Sequence, residues 1–414
     1  MKKRDLVIIG GGAAGLSAAV SAYKNGIKDI LILEREDHLG GILHQCIHNG
    51  FGLTRYKEEL TGPEYAARHI KEVEEAGIEY KLDTQVLNIS DKKVVTYSNS
   101  KDGLVDVEAK AIVLATGSYE RTSGAIMLPG DRVSGVTTAG TVQKIVNITG
   151  HITGKRIVIL GSGDIGLIMA RRLTLEGAKV LCVAEIMPYS NGLQRNIVQC
   201  LNDYNIPLYL STTVSKVIGK KRVEKVVLSS VDERMQVIPG TEREFECDCL
   251  VLSVGLIPQT TLLNNLKVNF GNTKGAIVDD NLMTEKEGLF TCGNALHIHD
   301  LVDFVSQEGE IAGAGAAKYI KDQLKESKRV HFVNGEGVGY VVPNFVNVDE
   351  EGSVNIKFRV RKPSKTAVLR FKCGEKEILK RPLLSPLPSV MYNIPIDKSK
   401  IIECDNVEVS VTNE

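Results

Sequence analysis

Short apolar runs divide the chain. Leu6-Val7-Ile8-Ile9 reads as a buried strand, and it gives way to Gly10 and a small-residue stretch through Tyr23 that reads as a helix. Ile30-Leu31-Ile32-Leu33 is a second strand and ends on Glu34. Pro63 to Gly77 carries Ala66, Ile70 and Val73 on one helical face and stops at Gly77. Paired apolar positions between Ile78 and Val107, broken by Asp-Lys and Asp-Gly turns, predict a small antiparallel excursion. Ala111-Ile112-Val113-Leu114 returns as a buried strand into Ala115-Thr116-Gly117, and Cys249 to Ser253 runs similarly into Val254-Gly255. Leu289-Phe290-Thr291 leads to another glycine turn, Gly293-Asn294, before a long helix from Leu301 to Leu324. Its small residues from Gly309 to Ala317 permit close packing. Beyond about Lys328 the texture becomes alternating and proline-punctuated, without a helical period, which predicts an all-β region.

The opening pattern occurs twice. Ile157-Val158-Ile159-Leu160 precedes Gly161-x-Gly163-x-x-Gly166, a helical stretch, and a strand ending on Glu185. The first copy sets Gly10, Gly12, Gly15 and Glu34 at the same spacing. With 39 glycines in 414 residues, a bare G-x-G-x-x-G arises by chance roughly 0.3 times. A strand before it, a helix after it and a distal acid, all repeated, make coincidence a poor explanation. The first glycine turns the chain, the second admits a pyrophosphate, and the third lets helix and strand pack closely. The helix N-terminus offers unpaired N–H groups to phosphate, and the acid accepts from an adenosine ribose. Two dinucleotide sites are expected. Glu185 would repel a 2′-phosphate, and Ile186-Met187-Pro188 brings no arginine beside it, so NAD is expected over NADP, with Arg195 as the residue that can reach in.

Composition removes other classes. Lys+Arg and Asp+Glu both number 51, so no net field attracts nucleic acid or anionic lipid. The basic start, Lys2-Lys3-Arg4, imitates a secretion signal, but Asp5 and the glycines that follow make a poor signal core. No apolar run reaches the ~18 residues of a membrane span. Eight cysteines without a short-spaced disulfide framework suit a reducing cytoplasm.

These residues resemble the two-dinucleotide flavoprotein class of thioredoxin and glutathione reductases. The resemblance implies an α/β fold of two Rossmann-like dinucleotide-binding domains, the NAD domain inserted in the FAD domain, plus a small C-terminal all-β domain. The expected bounds are 1–121 and 263–328 for FAD, 122–262 for NAD and 329–414 for the β domain. Carried onto this chain, the FAD contacts are Gly10, Gly12, Ala14, Gly15, Glu34, Arg35, Gly41, Ala115, Thr116, Gly117, Gly293, Asn294, Asp303, Phe304 and Val305. Those for NAD(H) are Gly161, Gly163, Asp164, Ile165, Gly166, Glu185 and Gly255. Asn294 stands where the class has aspartate, keeping a hydrogen-bonding group without the charge. The segment from Asp303 to Ser306 is expected to line the flavin pyrimidine, with the helix start favouring negative charge there.

A narrower likeness lies in the Gly40-to-Gly52 string, in Pro129-Gly130 with Val136 to Gln143, and in Cys292-Gly293-Asn294-x-Leu296-His297-x-His299-Asp300. It resembles the branch holding the FAD/NAD subunits of opine oxidase and hydrogen cyanide synthase, sarcosine oxidase α, and flavoproteins associated with glycerol-3-phosphate dehydrogenase-like enzymes. That implies hydride transfer between NADH and FAD, with electrons exchanged with a partner dehydrogenase or oxidase subunit. The redox disulfide of the larger class is missing. Gly40 to His48 has only Cys46, and Thr137 to Thr141 has no cysteine. Cys46 leaves open a single-cysteine NADH oxidase or peroxidase, and a non-enzymatic redox sensor or scaffold is the remaining alternative. The other cysteines, Cys373 and Cys404 included, read as structural. Histidines 44, 48, 297 and 299 cluster near the expected flavin turns, and no metal site is expected from their spacing.

Overall fold

The computed structural model describes residues 2–324, 327–349 and 351–413. The chain forms two compact units, Met1–Ser118 with Pro258–Glu414, and Tyr119–Ile257. The 329–414 segment, read from sequence as a separate domain, thus belongs to the same unit as the first glycine loop.

In the first unit the strands Glu79–Lys81, Ile30–Leu33, Lys2–Ile9 and Gly103–Leu114 lie side by side, followed by Val94–Asn99 and Gln85–Ile89. Gly103–Leu114 does two jobs. Its first half pairs antiparallel with Val94–Asn99, while its buried end pairs parallel with Leu289–Thr291. The antiparallel excursion expected from sequence is therefore an extension of the main sheet. Lys2–Ile9 runs parallel to both neighbours, Leu6 beside Ile30 and Ala111, so the all-apolar strands are covered on both faces. The helices Ala13–Lys24 and Val302–Ile320 meet at glycines. A Cβ on Gly309 would lie 2.2 Å from the Ala14 carbonyl oxygen, and one on Gly313 2.2 Å from that of Ala18. This is why the late helix is rich in small residues. The helix Gly62–Glu75 starts with a capping box, in which Glu64 accepts from the Thr61 N–H at 2.8 Å and its hydroxyl at 2.7 Å.

The second unit repeats the plan with a parallel sheet ordered Val136–Thr138, Cys249–Leu252, Arg156–Leu160, Lys179–Ala184, Leu208–Tyr209. A three-stranded antiparallel sheet, Thr212–Gly219, Val223–Ser230 and Arg243–Glu246, packs beside it.

The C-terminal segment is a sandwich. A five-stranded sheet contributes Phe332, Leu369, Phe371 and Val407, a three-stranded sheet contributes Ile356, Phe358 and Ile394, and they share one core. Here the reading of the cysteines needs correction. Cys373 and Cys404 are disulfide-bonded across a separation of 31 residues, a pairing that the strand fold creates and no short spacing announces. No helix among the described residues is long and apolar enough to cross a membrane.

Candidate functional site

The first glycine loop is forced by contact. Gly10 has φ +104°, and a Cβ there would lie 2.4 Å from the Ala115 carbonyl oxygen. A Cβ on Gly15 would lie 1.9 Å from the Gly10 oxygen. At Gly12, by contrast, nothing stands within 4 Å, and Gly41 approaches with its own Cβ position 3.2 Å from the Gly12 Cα. Two glycines therefore serve packing and the middle one faces open space, as a pyrophosphate site requires. Glu34 is buried at the end of its strand. One carboxylate oxygen accepts from the Gly11 N–H at 2.6 Å and the other from the Glu36 N–H at 2.9 Å. The acid braces the loop and still has lone pairs for a ribose diol.

The second unit reproduces this almost atom for atom. Gly161 has φ +100°, with a Cβ position 2.1 Å from the Ser253 carbonyl oxygen, whereas nothing approaches that of Gly163 closer than 3.6 Å. Glu185 accepts from the Ser162 N–H at 2.9 Å and the Met187 N–H at 3.0 Å, and also from the Ser162 hydroxyl at 2.7 Å. Ser162 is a site residue that sequence reasoning passed over, because the motif leaves that position unspecified. Gly166 packs on Ser253. Asp164 caps a different structure, accepting from the Leu193 N–H at 2.8 Å and the Asn196 amide at 2.6 Å. It pins the loop before the helix Gln194–Cys200, on which Arg195 is exposed. Ile165 is half-buried, and Gly255 is exposed with φ +102°.

Around the first loop the structure gathers most of the other expected residues. A Cβ on Gly293 would lie 2.8 Å from Ala14 and 3.2 Å from Val305, so the first helix, the late turn and the late helix converge there. Thr116 donates its hydroxyl to the Gln259 carbonyl at 2.7 Å, and Gly117 has open space beside it. Arg35 is exposed and paired with Glu36 at 3.6 Å. Phe304 is half-buried in the first turn of the late helix. Asp303 is buried there, one oxygen accepting from the Thr54 N–H at 2.9 Å. Its other oxygen has no partner among the described residues. The open cradle and this orphaned buried acceptor fit a bound dinucleotide. Ser306 is tied to Tyr65 at 2.8 Å and to His69 at 3.4 Å, and Ser17 reaches the other His69 nitrogen at 3.3 Å.

Of the four clustered histidines, His44 meets the Leu39 carbonyl at 2.6 Å and His48 the Asn49 carbonyl at 3.0 Å. The ring nitrogens of His297 and His299 lie within 4.8 Å of a carboxylate oxygen of Glu308. The Lys357 ammonium sits on the same oxygen at 2.6 Å, so this group carries its own cation. The sequence reading missed Glu308, His69 and Lys357, since each stands in a motif-free stretch and acquires partners only through folding.

Burial drives His69 down to about 3 and His297 down to about 4. Both are therefore neutral in the folded protein and protonate more readily when unfolded. Stability should be complete above about pH 6.5 and fall below it by about 1.4 kcal/mol per pH unit for each of the two histidines. Urea unfolding at stepped pH checks this, and a flat profile down to about pH 5 would contradict it.

The profile of the pyridine nucleotide-disulphide oxidoreductase family matches residues 4–341, and the chain belongs to that family. It is an FAD-dependent NAD(P)H oxidoreductase. Among relatives, thioredoxin reductase of Treponema pallidum is 27% identical over 325 residues, which span 76% of this chain and 97% of the relative. An opine oxidase subunit of Agrobacterium tumefaciens is 23% identical over 78% of this chain and 66% of the relative. The crystal structure of Lactococcus lactis thioredoxin reductase superimposes with a TM-score of 0.63 at 20% identity, covering 77% of this chain and 99% of that one.

Proposed function

We propose that this enzyme takes hydride from NADH onto FAD and passes the electrons to a partner dehydrogenase or oxidase subunit. The observation that carries the reading is the duplicated glycine loop with a buried, doubly engaged acid, combined with a sequence that lacks both cysteine pairs of the disulfide reductases. Bound FAD supplies the hydride chemistry itself. The chain's residues supply binding: Gly10, Gly12 and Gly15 shape the phosphate cradle, Glu34 orients it, and the start of the late helix offers N–H groups beside Asp303. Gly161, Gly163 and Glu185 do the same for the nicotinamide nucleotide. The relative named as a subunit of opine oxidase supports the partner, as does the narrower likeness to hydrogen cyanide synthase and sarcosine oxidase α. Co-purification from the native cell, followed by NADH-to-acceptor assays with and without the companion, tests the proposal. Fast turnover with oxygen, peroxide or a disulfide by the isolated protein would overturn it.

The single-cysteine reading is the second one, and the environment of Cys46 works against it. Its thiol faces the Ile42 carbonyl at 3.4 Å, and burial pushes it up to about 12, away from the thiolate that peroxide chemistry needs. A Cys46→Ser protein is expected to reduce an artificial acceptor with NADH within about twofold of the wild-type rate. A loss of tenfold or so in that assay would restore the cysteine mechanism.

A further inference from the structure

The sequence motif His297-x-His299-Asp300 lies outside both glycine loops, yet the side chains of His297 and His299 are fully enclosed. Glu308, fully buried on the late helix, uses one oxygen to accept from the Gly293 N–H at 2.9 Å. The other oxygen takes His297 Nε2 at 2.6 Å and Lys357 Nζ at 2.6 Å, while His299 Nε2 lies 3.2 Å away and makes no hydrogen bond among the described residues. The ionised Glu308 carboxylate can only accept, which assigns the His297 proton to Nε2, and the second nitrogen lies 3.4 Å from the Tyr340 hydroxyl. His299 holds the next residue of the turn, since its N–H donates to the Asn294 side-chain oxygen at 3.0 Å. Two residues along the strand from Lys357, Arg359 grips Asp300, and the Met391 N–H donates to the same carboxylate at 2.6 Å.

The lysine and arginine of this cluster come from the C-terminal sandwich, and its acids come from the dinucleotide module. Lys398 pairs with Asp280 at 2.6 Å in the same sense. Lys357 and Arg359 also lie beyond residue 341, where the family match ends. The thioredoxin reductases are covered almost entirely by about three quarters of this chain, so the arrangement is an addition to what they have.

We infer that the C-terminal sandwich completes the cofactor turn: Lys357 is a positioning residue that keeps Glu308 ionised as the acceptor of the Gly293 N–H, and Arg359 fixes Asp300 at the entry to the late helix. The inference rests on the assignment of Gly293-Asn294 to FAD. A carboxylate with no exposure does not stay charged without a counter-ion, and the Lys357 ammonium at 2.6 Å supplies one. Burial works to raise Glu308, but His297, Lys357 and His299 together hold it well below the usual carboxylate range. The other titratable groups against the cluster are Cys292 and Tyr340, which burial pushes up and keeps neutral, and the Asp300–Arg359 pair, which is self-compensated.

The test is FAD titration of the cofactor-stripped full-length protein at two pH values. K357M is expected to weaken FAD at least about thirtyfold near pH 8, where Glu308 is left without its cation. Without its cation Glu308 takes a proton more readily, so the loss of affinity in K357M is expected to shrink as the pH falls toward 6. E308Q/K357M removes both charges and keeps an oxygen for Gly293, so it should bind FAD within about threefold of wild type at both pH values. If K357M does not fold, the double variant carries the test, and a folded double variant without FAD overturns the inference. So does wild-type affinity in K357M, or an equal loss at both pH values. A wild-type chain that binds no FAD overturns the cofactor assignment as well, a result readily told apart from the others.

Discussion

A Gly12→Val protein is expected to fold with the wild-type melting temperature when stripped of cofactor, yet to lose FAD by roughly a hundredfold, about 2.7 kcal/mol. Nothing lies within 4 Å of the Gly12 Cβ position, and its extended backbone, φ −80° and ψ −173°, suits a β-branched residue. The first carbon of a new side chain therefore meets no protein neighbour, and the valine projects from a position that opens on the space expected to take the pyrophosphate. Gly10→Ala is the contrast. Its methyl must overlap the Ala115 carbonyl at 2.4 Å on a left-handed backbone, which costs about 2–5 kcal/mol in the fold itself. Paired melting curves and flavin-release fluorescence separate the two. Retained FAD in Gly12→Val, or a drop in its cofactor-free melting temperature, would contradict the assignment of this loop.

The wild-type enzyme is expected to prefer NADH over NADPH by at least about tenfold in flavin reduction, and a Glu185→Ser protein with Ile186→Arg to reverse that preference by about a hundredfold. Glu185 is buried with both oxygens accepting hydrogen bonds from the loop, so a 2′-phosphate beside it faces a carboxylate that cannot turn away. Because the acid also braces Ser162 and Met187, the double variant should unfold at lower temperature while its NADPH constant improves. Stopped-flow reduction with each nucleotide measures the ratio. Equal constants for the two nucleotides in the wild type would remove Glu185 as the discriminator.

The dinucleotide plan is written locally and can be read locally. A strand, a glycine triplet, a helix and a distal acid lie within one short segment, and the first and third glycines are dictated by neighbours that the segment itself or the adjoining strand supplies. Gly10 against Ala115 and Gly161 against Ser253 are instances, and the same logic marked Glu34 and Glu185. Asp164 shows what such reading does not see: the motif places it at the nucleotide site, and the fold adds that its carboxylate accepts from the Leu193 N–H and the Asn196 amide.

The C-terminal segment was legible only as alternating strands. Its disulfide joins residues 31 apart, and its place against the dinucleotide module rests on single charged residues, Lys357, Arg359 and Lys398, that no periodicity distinguishes from surface charge. By itself the sequence determined the two glycine loops, their acids, the missing redox cysteines and the class of fold, because those depend on backbone geometry over short distances. Tertiary structure alone decided that Glu308 would be buried beneath Gly293 and neutralised from a strand about fifty residues away, because a buried charge acquires its partner from packing and not from spacing.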